Sequence, residues 1–99
     1  MSKKLFSIIQ DLDKYECFVC GRQDGLEVHH IYKGTANRRL SDMYGCVVYL
    51  CLPHHMGTYG VHGKYGTALD NKLKVECQKA FEKKYSHEKF MEVFGRSYL

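Results

Sequence analysis

Four potential metal ligands, arranged as two pairs with the same internal spacing, constrain this chain more than any other feature. Cys17 and Cys20 form a C-x-x-C pair, and Cys51 and His54 form a C-x-x-H pair after an interval of thirty residues. Zinc favours four such sulfur and nitrogen ligands in a tetrahedron, and this spacing lets one turn present both members of a pair. Gly21 allows the tight turn in which two thiolates converge. The sequence therefore predicts a closed structural zinc site, whereas the alternative is that these are ordinary buried thiols and a surface histidine.

The length of the chain makes such a site valuable. A single domain of 99 residues has a core that supplies only about 3–5 kcal/mol of net stability. It therefore needs a further source of stability, such as disulfides, a structural metal or oligomerisation. The odd number of cysteines, five, and a lysine-rich start in place of an apolar signal segment argue against a secreted disulfide protein. We expect a reducing cytosol, where closely spaced cysteines bind metal. Cys46 and Cys77 lie on apolar faces and are predicted to be buried free thiols.

The hydrophobic pattern predicts one α+β domain over residues 1–99. A short N-terminal helix is predicted from an i, i+3, i+4, i+7 pattern formed by Leu5, Ile8, Ile9 and Leu12. Strands are predicted at 26–31 and 46–52, and the polar, basic stretch 34–45 between them is typical of a loop or short helical turn. Pro53 is expected to end the second strand, and residues 54–56 to open a short helix or turn.

Two helices are predicted at the C-terminal end, at about 69–95. Asp70 or Asn71 can cap the first helix. Its apolar face is predicted to comprise Leu69, Leu73, Cys77, Ala80, Phe81 and Tyr85. Ser86 is expected to begin the second helix, in which Phe90 and Phe94 are four residues apart.

Histidine is the most informative excess in the composition, with six in the chain. A single histidine is often only a packed side chain, but His29, His30, His55 and His62 all lie near the predicted zinc ligands in sequence. Only His87 is distant. His29 and His30 are neighbours on a strand, so their side chains point to opposite faces and cannot share one role by adjacency. The histidines therefore indicate a second metal or catalytic site.

The ordered set of motifs resembles the HNH endonuclease family, in which two strands and a helix (the ββα-metal fold) surround a divalent ion. The closest resemblance is to small phage-encoded HNH proteins and related phage recombination-enhancement nucleases. It is carried by the segments His29-His30-Ile31, Ala36-Asn37-Arg38-Arg39, Tyr44-Gly45, Val48-Tyr49-Leu50-Cys51, His54-His55 and Gly60-Val61-His62. The resemblance covers about residues 17–85. It implies a small zinc-stabilised ββα-metal domain. The two turns that carry the zinc ligands (the zinc knuckles, C-x-x-C and C-x-x-H) and the ββα-metal core are expected at about 15–66.

The resemblance also implies a role for each histidine. His30 matches the general base, and His29 stands where the family commonly has a metal-binding acid. His55 and His62 both match metal-side positions, and which of them is the second ligand is left open. Asn37 is the nearest candidate for the asparagine that braces the catalytic loop, although it lies further upstream than usual. An imidazole in place of a carboxylate favours Zn²⁺, Ni²⁺, Co²⁺ or Mn²⁺ relative to Mg²⁺ as the catalytic ion.

The charge distribution agrees in sign with a polyanionic partner. The chain has 15 Lys and Arg against 11 Asp and Glu, a formal charge of +4. The segment between His29 and Tyr65 contains four basic residues and one acidic residue, Asp42. Phosphate contacts are predicted for the four basic residues: Lys33, Arg38, Arg39 and Lys64. The alternative is a solvated basic surface. No apolar run is long enough to cross a bilayer, so we expect no membrane partner.

These observations predict a metal-dependent DNA endonuclease that hydrolyses phosphodiester bonds and nicks one strand. The resemblance adds a bacterial cytoplasm hosting a phage or prophage, and a phage or host recombination or packaging protein as a further partner. The alternative is a zinc-stabilised module that binds nucleic acid or protein without catalysis. That alternative accounts for the cysteines but leaves four histidines without a role.

Overall fold

A computed structural model describes residues 5–99, and the lysine-rich start at residues 1–4 lies outside the described residues. Its elements are β1 (Glu27–His30), α1 (Thr35–Tyr44), β2 (Val47–Leu50), α2 (Leu52–His55), α3 (Thr67–Lys84) and α4 (His87–Phe94). The two strands form one sheet, and α1 and α2 pack against β1. The prediction of a small α+β domain is therefore confirmed.

The sheet is an antiparallel pair whose connection contains α1. His29 on β1 lies opposite Val48 on β2, and His30 lies opposite Val47. Both strands lie where the sequence predicts them but are shorter at each end. Val47, Val48 and Leu50 are fully buried, so β2 is the central hydrophobic element of the domain.

Residues 35–44 form a ten-residue helix, whereas the polar composition predicted a loop or short turn. The helix is held by Ser41, which is fully buried and exchanges hydrogen bonds with the backbone of Tyr32. Leu40 and Tyr44 pack against the core from the same helix. Gly45 ends it in the left-handed conformation, at φ 72°. Its inward face therefore consists of a few side chains in a mostly polar segment.

The predicted N-terminal helix is wrong, because residues 5–16 follow an irregular path. Ser7 Oγ accepts hydrogen bonds from the backbone N–H groups of Ile9 and Gln10, which competes with helical bonding. Long-range bonds then fix the segment: Ile8 N–H donates to Gly45 O, and Gln10 Oε1 accepts from Tyr49 N–H. Ile8 and Ile9 still pack against the core, as the pattern indicated, but from a non-helical segment.

The C-terminal helices complete the core. α3 begins at Thr67, and neither Asp70 nor Asn71 caps it, since Asp70 lies in its first turn. Ser86 does cap α4, as predicted, and accepts from Lys89 N–H at 3.0 Å. Phe81, Phe90 and Phe94 are buried in this core. Leu73 and Cys77 of the predicted α3 face are buried as well, whereas Tyr85 is exposed.

Cys46 and Cys77 are fully buried free thiols, as predicted. Contact with Cys77 raises the pKa of the Cys46 thiol, and burial raises it further, so this thiol stays protonated. Among the described residues, no helix combines the length and the apolar character needed to cross a membrane.

Candidate metal centres and active site

The four predicted zinc ligands form one cluster. The ligand atoms of Cys17, Cys20, Cys51 and His54 all lie within 4.8 Å of one another. The sulfurs of Cys20 and Cys51 are 3.7 Å apart, and His54 Nδ1 lies 3.1 Å from Cys51 Sγ and 3.8 Å from Cys17 Sγ. Two thiolates bound tetrahedrally at about 2.3 Å from zinc are separated by about 3.8 Å. The spacing therefore fits a structural zinc ion.

Local backbone structure presents these four side chains. Gly21, at φ 77°, donates its N–H to Cys17 O and closes the predicted turn. Phe18 N–H donates to Tyr49 O, which fastens the turn to β2. Cys51 precedes α2, and Pro53 lies in its first turn. Proline suits that position because its fixed φ is helical and its missing N–H would have no partner there. Pro53 therefore shapes the helix that carries His54.

The thiols at this site respond to one another. Burial raises the pKa of Cys17, but hydrogen bonds from the backbone of Cys51, Cys20 and Val19 outweigh it and lower that pKa to about 6. Burial raises the pKa of Cys51 most, a hydrogen bond with the backbone of His54 lowers it, and the sulfurs of Cys17 and Cys20 raise it. Thiolates this close together need a cation to be charged at the same time, which is what zinc provides.

Three histidines form a second group, the imidazole cluster, consisting of His29, His55 and His62. Their ring centroids are 5.4 Å apart for His29–His55, 5.3 Å for His29–His62 and 4.7 Å for His55–His62. Each offers a ring nitrogen within 4.8 Å of the others. Both residues that the sequence could not rank, His55 and His62, therefore lie beside His29.

Helix α2 and a glycine-rich loop build this cluster. His54 and His55 are consecutive in α2, so their side chains diverge, one toward the cysteines and the other toward His29. Val61 N–H donates to His54 O and His62 N–H donates to His55 O, which holds the loop against α2. Gly63 and Gly66 pack so closely against the loop backbone that a Cβ would clash at either position. The loop is therefore a compact support for His62.

The imidazole cluster has the properties expected of a metal site. His29 and His55 are 2% and 8% exposed, yet His29 Nε2 and His55 Nδ1 have no hydrogen-bond partner among the described residues. A buried polar atom without a partner costs about 1–3 kcal/mol, so two in adjacent rings need an explanation. A divalent cation would satisfy both atoms at once. The donor set therefore fits an ion, with the exposed His62 on its solvent side.

The electrostatics of the imidazole cluster keep its lone pairs free. Burial lowers the pKa of His29 to about 3, and the charges of His55, His62 and Lys33 act in the same direction. Burial also lowers the pKa of His55, with a further contribution from His62. Both rings are therefore neutral near pH 7, which is the form that binds metal.

The low pKa of His29 predicts an acid-sensitive fold. Between about pH 6.5 and 3 the unfolded chain binds a proton at His29 and the folded chain does not, so stability falls as the pH falls. The contribution is up to about 5 kcal/mol over this window. We expect the free energy of unfolding to fall more steeply with acid in the wild type than in His29→Asn, when urea titrations are compared without a second ion. Parallel curves would contradict the expectation, because the two proteins share every other titrating group.

His30 faces away from the imidazole cluster, as the alternation along β1 predicts, and bonds to a residue that the sequence did not identify. Its Nε2 lies 2.8 Å from Asp42 Oδ1 on α1. A carboxylate can only accept, so the neutral His30 ring carries its proton on Nε2 and has a free lone pair on Nδ1. Asp42 therefore sets the tautomer of the predicted general base.

An open cleft of about 620 Å³ connects the two groups of histidines. Its lining comprises Glu27, Val28, His29, His30, Lys33, Gly34, Thr35, Arg38, His55 and His62. Of the four predicted phosphate-binding residues, Lys33 and Arg38 line the cleft, and Lys33 also pairs with Asp70 at 3.6 Å. Arg39, Lys64 and Asn37 lie outside this lining, among the residues that the structure describes. Their predicted roles stay predictions.

Comparison with protein-family models, curated proteins and solved structures found no match. Membership of the HNH family therefore stays a prediction carried by the motifs. The function has to be inferred from the two clusters and the cleft.

Two carboxylates in this region escaped the sequence analysis. Asp42 is twelve residues from His30, and its segment was expected to be a loop, so no periodicity connected the two. Glu27 lies two residues before His29 on β1 and lines the cleft. The alternation of a strand could have placed Glu27 on the face of His29, because residues i and i+2 share a face.

Proposed function

We propose that this protein is a metal-dependent DNA endonuclease of the HNH type, with a structural zinc ion at Cys17, Cys20, Cys51 and His54. A second divalent ion binds the imidazole cluster. The observation that carries the proposal is one open cleft lined by His29 and His55, each with a buried ring nitrogen that has no hydrogen-bond partner among the described residues, and by His30, which bonds to Asp42. A zinc fold alone requires neither feature.

In this proposal His30 is the general base of phosphodiester hydrolysis. Asp42 holds the proton on Nε2, so His30 Nδ1 takes a proton from the attacking water. His29, His55 and His62 would hold the second ion, and an ion that takes six ligands then keeps coordination positions for substrate. When bound, a divalent ion stabilises negative charge on the phosphate and on the leaving oxygen. The zinc-knuckle ligands are a complete tetrahedral set and have only a structural role.

The basic side chains at the cleft support a nucleic-acid substrate. Arg38 is exposed and lines the cleft together with Lys33, so both can contact phosphates beside His30. Such contacts give sequence-tolerant binding that weakens with salt. A single active site per chain is suited to nicking. The bacterial cytoplasm and a recombination or packaging partner belong to the proposal through the HNH resemblance alone.

The test is plasmid nicking by zinc-loaded protein in the presence of Mg²⁺, Mn²⁺, Co²⁺ or Ni²⁺, together with metal analysis. We expect nicking only with an added ion, and a second bound ion that His62→Ala loses while its zinc content is retained. His87→Ala is the matched control, because His87 lies on α4 outside the cleft. DNA binding without nicking in every ion would favour the zinc-stabilised binding module.

A further inference from the structure

We propose that Glu27 is a fourth ligand of the ion at the imidazole cluster, so that the site consists of three imidazoles and one carboxylate. This inference rests on the proposed function, because it requires an ion at that cluster. It assigns a role to the one acidic residue among the described residues that line the cleft.

The sheet directs Glu27 toward the cluster. Glu27 and His29 are two residues apart on β1, so their side chains share a face of the sheet. In register they lie opposite Leu50 and Val48, next to the start of α2, which carries His55. Glu27 Oε2 is 3.7 Å from His55 Nδ1.

That distance suits two ligands of one ion better than a hydrogen bond. An N–H···O hydrogen bond spans about 2.7–3.2 Å, so a separation of 3.7 Å is too long for one. Two atoms bound to the same ion at about 2.0–2.2 Å lie roughly 3–4 Å apart. His55 Nδ1 is also one of the two buried nitrogens without a hydrogen-bond partner. The carboxylate oxygen and this nitrogen therefore lie where one ion could bind both.

Charge gives a second, independent reason. Three imidazole ligands carry no negative charge, so both charges of a divalent ion stay uncompensated at a group in which His29 and His55 are buried, beside a cleft that Lys33 also lines. Glu27 lies outside the three residues whose ligand atoms are all within 4.8 Å of one another, but its side chain is 57% exposed, so it can turn toward an ion there without breaking a buried contact.

The consequence is a preference among ions. Oxygen ligands suit Mn²⁺ and Mg²⁺, whereas imidazoles suit Zn²⁺, Ni²⁺ and Co²⁺. Removal of the carboxylate should therefore weaken Mn²⁺ binding more than Ni²⁺ binding. A structural role for Glu27 would not change the relative affinity of two ions.

The experiment titrates zinc-loaded protein with Mn²⁺, followed by electron paramagnetic resonance, and with Ni²⁺, followed by calorimetry. We expect Glu27→Gln to weaken Mn²⁺ binding at least about tenfold and Ni²⁺ binding less. Glu27→Asp keeps a carboxylate and should fall between the wild type and Glu27→Gln. Glu88→Gln removes the same charge from an exposed position on α4 and should bind both ions like the wild type.

The outcomes separate the two proposals. If the wild type binds Mn²⁺ and Glu27→Gln binds it equally well, Glu27 is not a ligand and the proposed function stands. A loss that disappears at about 1 M salt, where the Debye length is about 3 Å, would show a distant charge effect and also overturn the ligand role. If the wild type binds no ion beyond zinc, both proposals fail. Unchanged zinc content and circular dichroism in each variant exclude misfolding as the cause.

Discussion

Removal of zinc with a chelator is expected to unfold this domain, and added zinc is expected to refold it. Structural zinc contributes about 10–16 kcal/mol at pH 7 in small domains, whereas a core of this size supplies only about 3–5 kcal/mol. The four ligands also connect residues 17–22, the end of β2 and the start of α2. Loss of the ion would therefore release these three segments together. Far-UV circular dichroism during chelation and zinc back-titration measures the effect.

Cys51→Ser should have the same effect as chelation, and Cys46→Ala is its matched control. Both cysteines are almost completely buried, but only Cys51 belongs to the zinc-knuckle cluster. Cys46→Ala removes a buried sulfur and should cost only about 1–3 kcal/mol. Because His54 and His55 are adjacent in α2, Cys51→Ser should also abolish ion binding at the imidazole cluster. A chelated protein with an unchanged spectrum would show that the fold does not depend on zinc.

His30→Ala is expected to lower the rate of nicking by about 100-fold to 10,000-fold, the usual contribution of a general base. Zinc content and ion binding at the imidazole cluster should be unchanged, because His30 faces Asp42 and not that cluster. His87→Ala is the matched control, since His87 Nδ1 lies 2.7 Å from Glu82 Oε2 in a similar imidazole–carboxylate pair on the surface. Nicking of supercoiled plasmid at saturating metal measures the rate.

Asp42→Asn tests whether the carboxylate sets the tautomer of His30. An asparagine amide can accept from Nε2 through its oxygen or donate to Nε2 through its nitrogen, so the substitution no longer restricts the ring proton to Nε2. We expect nicking to fall and the ¹⁵N shifts of the two His30 ring nitrogens to move toward each other as both tautomers become populated, with metal binding retained. If His30→Ala nicks plasmid at the wild-type rate, His30 is not the general base. If Asp42→Asn leaves both the ¹⁵N shifts of the His30 ring and the nicking rate unchanged, the carboxylate of Asp42 is not needed to set the tautomer.

The features that sequence predicted correctly depend on short spacings. The zinc ligands come in pairs separated by two residues, so a single turn fixes their relative positions, and the structure brings both pairs together. The separation of His29 from His30 follows from the alternation of side chains along a strand. The cap at Ser86 and the buried faces of the C-terminal helices are also local patterns.

The predictions that failed concern segments whose conformation depends on distant contacts. Residues 5–12 carry a helical pattern, but bonds from Ile8 and Gln10 to Gly45 and Tyr49 hold them in an irregular, non-helical conformation. The stretch 35–44 is polar in composition, and its helix depends on Ser41 bonding to Tyr32. Tertiary contacts override local propensity in both cases: they prevent a predicted helix at residues 5–12 and stabilise an unpredicted one at residues 35–44.

By itself, the sequence identified the four candidate ligands of the predicted zinc site, the two strands and the histidines near that site. Only the tertiary structure decided that His55 and His62 both join His29, that Asp42 bonds His30 and that Glu27 approaches His55. The physical reason is that sheet register and loop packing set these distances, and both depend on residues far apart along the chain.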